Sequence, residues 1–218
     1  MVGLIMIKHI SFDVWNTLIT ANPLYAQERT KIIASVANIP LHQADAAYND
    51  VKRFLDKEAE NERCGKVSRA WNTLGVALDL NNRDREQIRL ACEAAFMHFA
   101  PHLDMELVDE LMKLSTNFEL SIKSNTNFIS GKVLSAAVGF DRMPFWGFTH
   151  FSDMMGMCKP DKRFFEETLR SSVIRLLSFS EVMHVGDNAI CDGSVVDYGM
   201  KLGLVNNPQH LLTILKEG

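Results

Sequence analysis

The chain has 218 residues, 47% of them apolar and 23% charged, and a net charge of −4. That length suits one large domain or one domain carrying an insertion. The weak negative charge gives no general attraction to nucleic acid or to an anionic membrane, and no apolar run approaches the roughly 20 residues that span a bilayer. The opening stretch Met1-Val2-Gly3-Leu4-Ile5-Met6-Ile7 is too short for a secretory core and lacks a basic lead-in and a cleavage site. Met6 offers an alternative start. Cys64, Cys92, Cys158 and Cys191 are scattered with no CxxC pair, as expected of free thiols in a reducing cytoplasm.

The first element is a β-favouring run. Ile10 and Phe12 flank Ser11, and Val14, Trp15 and Thr17 continue the run. Asp13 sits where it ends, and Asn16 tolerates a turn. Residues 19–23 read as a loop. Helical spacing follows over 24–37, with Ile32, Ile33 and Val36, and over 42–60, with Ala46, Val51, Phe54 and Leu55 on one side. Ser68 is placed to cap a helix at 71–78. A further helix covers 85–99, and Pro101 ends it. No strand is expected between about 20 and 100.

The pattern then alternates. Helices are expected at 105–114, 128–138, 161–170 and 210–216, with a turn plus helix at 192–200. Strands are expected at 118–123, 148–151, 182–185 and 202–205. Such alternation implies a Rossmann-like α/β fold, a parallel sheet flanked by helices. Residues 1–19 and 101–218 would form that core, and 20–100 an inserted helical-bundle cap.

Polar clusters follow the predicted strands: Asp13, Ser124-Asn125, Lys159, and Asp187 with Asp192. Strand ends of a parallel sheet line one edge, where such folds bind ligands. Together these groups offer a carboxylate nucleophile, hydroxyl and amide donors, a cation and two further carboxylates. That set suits a hard divalent cation and a phosphoryl group.

The same segments resemble the four motifs of the haloacid dehalogenase-like hydrolase superfamily. They are Phe12-Asp13-Val14-Trp15-Asn16-Thr17-Leu18; Ser124-Asn125-Thr126-Asn127; Gly156-Met157-Cys158-Lys159-Pro160-Asp161; and His184-Val185-Gly186-Asp187-Asn188-Ala189-Ile190-Cys191-Asp192, with Gly199-Met200 beyond. The resemblance implies a hydrolase with Asp13 as nucleophile. It implies Mg2+ on Asp13, the Trp15 carbonyl and Asp187, with Asp192 supporting the metal shell or holding Lys159. Ser124 and nearby N–H groups would bind phosphoryl oxygens, beside Trp15 and Asn125, and Lys159 would neutralise charge. The substrate would be a small phosphorylated metabolite, with no nucleic-acid or membrane partner. Oligomeric state stays open.

One departure bears on activity. Phosphatases of this family usually carry a second aspartate two residues after the nucleophile, to protonate the leaving group. Trp15 stands there. An aromatic at this position matches the 2-haloacid dehalogenases, the rival reading, although Asp187 departs from them and Arg29 is only a loose candidate for a carboxylate clamp. A non-catalytic, ligand-binding member is the third reading. From Asp192 to Gly199 the spacing is one residue short, which questions the local helix. His9 and His184 are expected to pack or to lie at an edge. Cys158 and Cys191 are expected to fill space, and Met154, Met155 and Met157 to pack.

Overall fold

The computed structural model describes residues 6–174 and 176–217; the expectations for the first five residues lie outside it. Five parallel strands form the main sheet, in the order β5-β4-β1-β6-β7. They are β1 (His9–Phe12), β4 (Glu119–Ser124), β5 (Trp146–Phe151), β6 (Val182–Gly186) and β7 (Lys201–Leu204). Parallel neighbours need crossovers, which put helices on both faces. The alternation of strands and helices expected from the sequence is therefore the architecture found.

The β1 run stops earlier than its composition suggests. Val14, Trp15 and Thr17 leave the sheet in a tight loop in which Val14 O accepts from Leu18 N (2.9 Å) and Ile19 N (3.1 Å). Asn16 closes the loop at φ 53°, a left-handed conformation that asparagine tolerates. The expected loop at 19–23 instead begins with β2 (Ile19–Thr20), which pairs antiparallel with β3 (His102–Leu103). This two-residue ribbon carries the chain out to the helices and back.

Between the ribbon strands lie α1 (Pro23–Ala37), α2 (Leu41–Glu60), α3 (Val67–Ala77) and α4 (Asn82–His98). Asn22 and Asn81 cap α1 and α4 through their side chains. Ser68 lies inside α3, and Lys66 precedes that helix without a side-chain cap. The buried stripe of α2 is Ala44, Tyr48, Val51 and Leu55. Phe54, at the margin of that stripe, and Ala46, on the far side of the helix, are exposed. These residues share a core with Ile33, Trp71, Leu74, Ile88 and Cys92.

The sheet has two unlike faces. Ile10, Phe12, Leu120, Ile122 and Val185 point to one side. There they pack with Leu107 and Leu111 of α5 (Met105–Leu114), Leu134 of α6 (Gly131–Val138) and Leu211 and Leu212 of α9 (Pro208–Glu217). The other side carries His9, Ser11, Ser121, Lys123, His150 and His184, all buried. It lies under Phe164 and Phe165 of α8 (Lys162–Ser171), as ring contacts to Lys123 and His184 show. Of the two places expected for His184, packed or at an edge, it takes the first: it lies on β6 between two strands, buried against Phe165.

α6 begins at Gly131, capped by Ser130, three residues later than expected. Phe128 leaves the helix path to stack on Tyr48 at 4.2 Å, within the helical core. Met154, in the short α7 (Ser152–Met155), is exposed rather than packed. The turn plus helix expected at 192–200, whose geometry the short spacing put in question, is a 3₁₀ helix over 193–198 ended by Gly199. Among the described residues no helix is long and apolar enough to cross a membrane.

Candidate active site

Asp13 directly follows β1, and its N–H donates to Val185 O at 2.8 Å, which fixes it at the carboxyl edge of the sheet. Asp187 follows β6 next door. Its carboxylate accepts from Asn16 Nδ2 at 3.0 Å, so the left-handed turn at Asn16 joins the first loop to the fourth. Asp192 returns beneath Gly186, where a Cβ would lie 2.2 Å from the Asp192 carboxylate. Only glycine permits that approach.

Lys159 is buried between two of these acids. Its Nζ lies 2.7 Å from Asp13 Oδ1 and 2.5 Å from Asp192 Oδ1. Asn125 holds the lysine in place: its Nδ2 donates to Lys159 O and its Oδ1 accepts from Lys159 N, each at 2.9 Å. These bonds make Asn125 an anchor for Lys159, and one N–H and one lone pair of its amide remain for a ligand. Ser124 ends β4, buried, and among the described residues its hydroxyl makes one long bond, 3.4 Å to Asn125 O.

A buried chain backs the acids. His184 Nε2 lies 2.9 Å from Asp192 Oδ1, and His184 Nδ1 lies 2.8 Å from Ser11 Oγ. Burial pushes His184 below its ordinary value, against the pull of Asp192. The neutral ring therefore donates through Nε2–H to Asp192 and accepts from the Ser11 hydroxyl. Asp192 Oδ2 also accepts from Asn188 N at 2.9 Å. Burial alone would raise Asp192, but Lys159 and His184 hold it well below the carboxylate range. Burial raises Asp13 to about 6, with Lys159 opposing and Asp192 reinforcing. Burial works against the Lys159 ammonium, yet Asp13 and Asp192 outweigh it and keep the group charged.

Asp13, Asp187 and Asp192 each offer an oxygen within 4.8 Å of the others. A set of oxygen donors this compact fits a hard divalent cation such as Mg2+. A small cleft lies beside Asn125 and Cys158, the neighbours of Lys159. Cys64, Lys66 and Arg69 from the helices line it, with Asn125, Asn127 and Cys158 from the sheet side. Trp15 is half-buried at its own end of the site, its ring edge-on to Phe96 of α4 at 6.4 Å. Arg29 is buried in the helical bundle, bonded to Asp45 at 3.0 Å and 3.7 Å above the Tyr48 ring.

A family model described as haloacid dehalogenase-like hydrolase matches residues 7–193. The chain belongs to that family. Solved structures of HAD hydrolases share its fold. YfnB from Bacillus subtilis, bound to magnesium, aligns at 18% identity over 97% of this chain and 99% of its own, with a TM-score of 0.72. A 2-haloacid dehalogenase from Pseudomonas syringae aligns at 20% identity over the same shares, with a TM-score of 0.67. A HAD family enzyme from Bacteroides thetaiotaomicron, in complex with magnesium and inorganic phosphate, aligns at 18% identity over 91% and 93%, with a TM-score of 0.60. No curated protein matches the chain.

In this HAD-like hydrolase the four motif loops do meet, and Asp13, Lys159, Asp187 and Asp192 form one cluster. Asn16, Ser11 and His184 belong to the same network, and reading the sequence for roles passed over them. For Ser11 the signal was a period of two: polar residues alternate with apolar ones along β1 and over 119–123 of β4, in a sheet covered on both faces, whereas His184 stands alone among apolar residues of β6. Polar groups buried in that way need partners.

Proposed function

We propose that this HAD-like hydrolase is a Mg2+-dependent, phosphatase-type enzyme that hydrolyses a small phosphorylated metabolite through an aspartyl intermediate on Asp13. Charge carries the reading. Three carboxylates surround one ammonium, and the buried His184 is neutral, so two negative charges remain uncompensated. A divalent cation balances them; no cation among the described side chains does. Asp13, Asp187 and the Trp15 carbonyl would hold it, while Asp192 is engaged by Lys159, His184 and Asn188. Bound there, Mg2+ supplies positive charge that lets an anionic phosphoryl group approach an anionic nucleophile.

The chain's own groups do the rest. Asp13 attacks phosphorus and becomes an acyl phosphate. Lys159, already 2.7 Å from Asp13, balances charge on the attacked group. The Ser124 hydroxyl, nearly free of partners, is available to a phosphoryl oxygen. Trp15 has no proton to give the leaving group and no base to activate water. Substrates whose leaving group departs as a stable anion, such as acyl phosphates, should therefore react faster than alkyl phosphates, and phosphorylated Asp13 should accumulate. The free thiols are in keeping with a cytoplasmic enzyme.

The aromatic ring at position 15 favours one rival, halide displacement from a 2-haloacid. Asp187 opposes it, because a second carboxylate beside Asp13 repels a haloacid anion. A panel of acyl and alkyl phosphates and 2-haloacids, with and without Mg2+, tests the reading. Phosphate release that needs Mg2+ and is lost in Asp13→Asn supports it. Halide release that persists in chelator overturns it.

A further inference from the structure

Two of the three acids in the cluster are fixed from beneath. Asp13 is paired with Lys159, and Asp192 with Lys159, His184 and the Asn188 N–H. Asp187 is held differently. It sits partly buried on the loop after β6, with exposed Asn188, Ala189 and Ile190 beyond it. Among the described residues its carboxylate makes one hydrogen bond, accepted by Oδ2 from Asn16 Nδ2 at 3.0 Å. Asn16 is itself firmly placed. Its N–H donates to Ile19 O at 3.0 Å, and the loop closes on Val14 O through Leu18 and Ile19, both buried. Its φ of 53° is a left-handed value that asparagine takes more readily than most side chains.

We propose that Asn16 is a positioning residue: its amide holds Asp187 at the cluster with one oxygen unencumbered, and so sets both the affinity of the site for a divalent ion and its choice between Mg2+ and Ca2+. The proposal rests on the metal reading of the site. The need for such a hold is electrostatic. Three carboxylates with oxygens within 4.8 Å of one another repel. Lys159 offsets Asp13 and Asp192, at 2.7 and 2.5 Å, but among the described residues no ion pair reaches Asp187. An unheld side chain on an open loop swings towards water, and binding an ion then costs the entropy of bringing it back. The Asn16 amide prevents that swing. A lysine or arginine in its place would do so too, but its charge would compete with the ion for the same carboxylate. The neutral amide keeps Asp187 in position with its charge intact. Selectivity follows from the same bond. Oδ2 already accepts from the amide, while Oδ1 has no partner among the described residues. The carboxylate is therefore biased to meet an ion through one oxygen. Mg2+ suits such a ligand in its tight octahedral shell, whereas Ca2+ takes roughly six to eight oxygens and often both of one carboxylate.

The test reads ion binding to the whole protein, through the electron paramagnetic resonance of free Mn2+ and the displacement of bound Mn2+ by Mg2+ or Ca2+. In Asn16→Gly the turn survives, because glycine adopts φ 53° freely and only the side chain is lost. Mn2+ and Mg2+ should then bind about 10-fold or more weakly, as is usual when a group that orients a metal ligand is removed. Ca2+, able to recover a second oxygen, should bind about as well as before, so the preference for Mg2+ narrows by about the same factor. A role confined to joining the two loops would shift the urea midpoint in chelator and leave that preference unchanged. Asp187→Asn reports on the metal site itself and should lose Mn2+ binding. If the wild type binds no Mn2+, or Asp187→Asn binds it equally well, the metal reading fails and the proposal with it. If those two behave as expected but Asn16→Gly binds Mn2+ undiminished, or binds it weakly with an unchanged preference for Mg2+ over Ca2+, the metal reading stands and the proposal is overturned.

Discussion

Replacing Lys159 by methionine removes the buried ammonium that pairs Asp13 and Asp192 while keeping most of its length. At an effective dielectric of 20, unit charges at the observed 2.7 and 2.5 Å attract by roughly 6 kcal/mol each. Burying three charges offsets most of that, and removing one partner of a buried ion pair typically costs about 3–5 kcal/mol. A domain stable by about 5–15 kcal/mol survives this loss. The loss should depend on pH. Asp13 already sits near 6 with the lysine present, and without it moves higher. The folded variant then binds a proton at neutral pH that its unfolded chain releases near the ordinary aspartate value. Its stability deficit is therefore small at pH 5 and grows towards pH 8. Urea unfolding in chelator at the two pH values measures this. Lys159→Met combined with Asp192→Asn should be more stable than Lys159→Met alone, because the orphaned carboxylate is gone. A loss below about 1 kcal/mol, or one equal at both pH values, refutes the charge arrangement.

Other substitutions probe other parts of the account. Trp15→Asp should raise alkyl-phosphatase activity towards the roughly 10²-fold or more that a general acid supplies, as read by phosphate release with Mg2+ present. No gain in a folded protein would show that the missing acid is not what limits the reaction. Gly186→Ala drives a Cβ into the Asp192 carboxylate and should destabilise the fold by about 1–3 kcal/mol in urea titration while weakening divalent-ion binding. Burial lowers Lys123 to about 7, below its unfolded value. From pH 7 to 10 the unfolded chain therefore holds a proton that the folded chain lacks, and this residue's contribution to stability rises with pH, by up to about 1.4 kcal/mol per unit. The difference in stability between wild type and Lys123→Met, measured at pH 7.5 and 9, should change with that sign; a constant difference would show that Lys123 remains charged when buried.

Much of this architecture is written in local patterns. Asp13, Ser124 and Asp187 each follow or end a short strand, and parallel pairing alone brings such ends to one edge. The ribbon of Ile19–Thr20 and His102–Leu103 left no trace, because two residues carry no period. The path of Phe128 was equally hidden: its place between Tyr48 and Trp71 is set by helices far away in sequence. The polar face of the sheet, from His9 to His184, needed both the pairing register and the cover of α8 before His184 could be seen as the support of Asp192. Asn16 shows the same limit in miniature. A turn was legible, but its hand and its bond to Asp187 were not.

One divalent ion should be shared by Asp13 and Asp187 while Lys159 holds Asp192. Anomalous diffraction from crystals soaked in Mn2+, standing in for Mg2+, measures this directly. A single peak about 2.0–2.4 Å from one oxygen each of Asp13 and Asp187, lost in Asp187→Asn, is the predicted result. An undisturbed Asp13–Lys159 pair with no ion beside it at saturating Mn2+ would contradict the account.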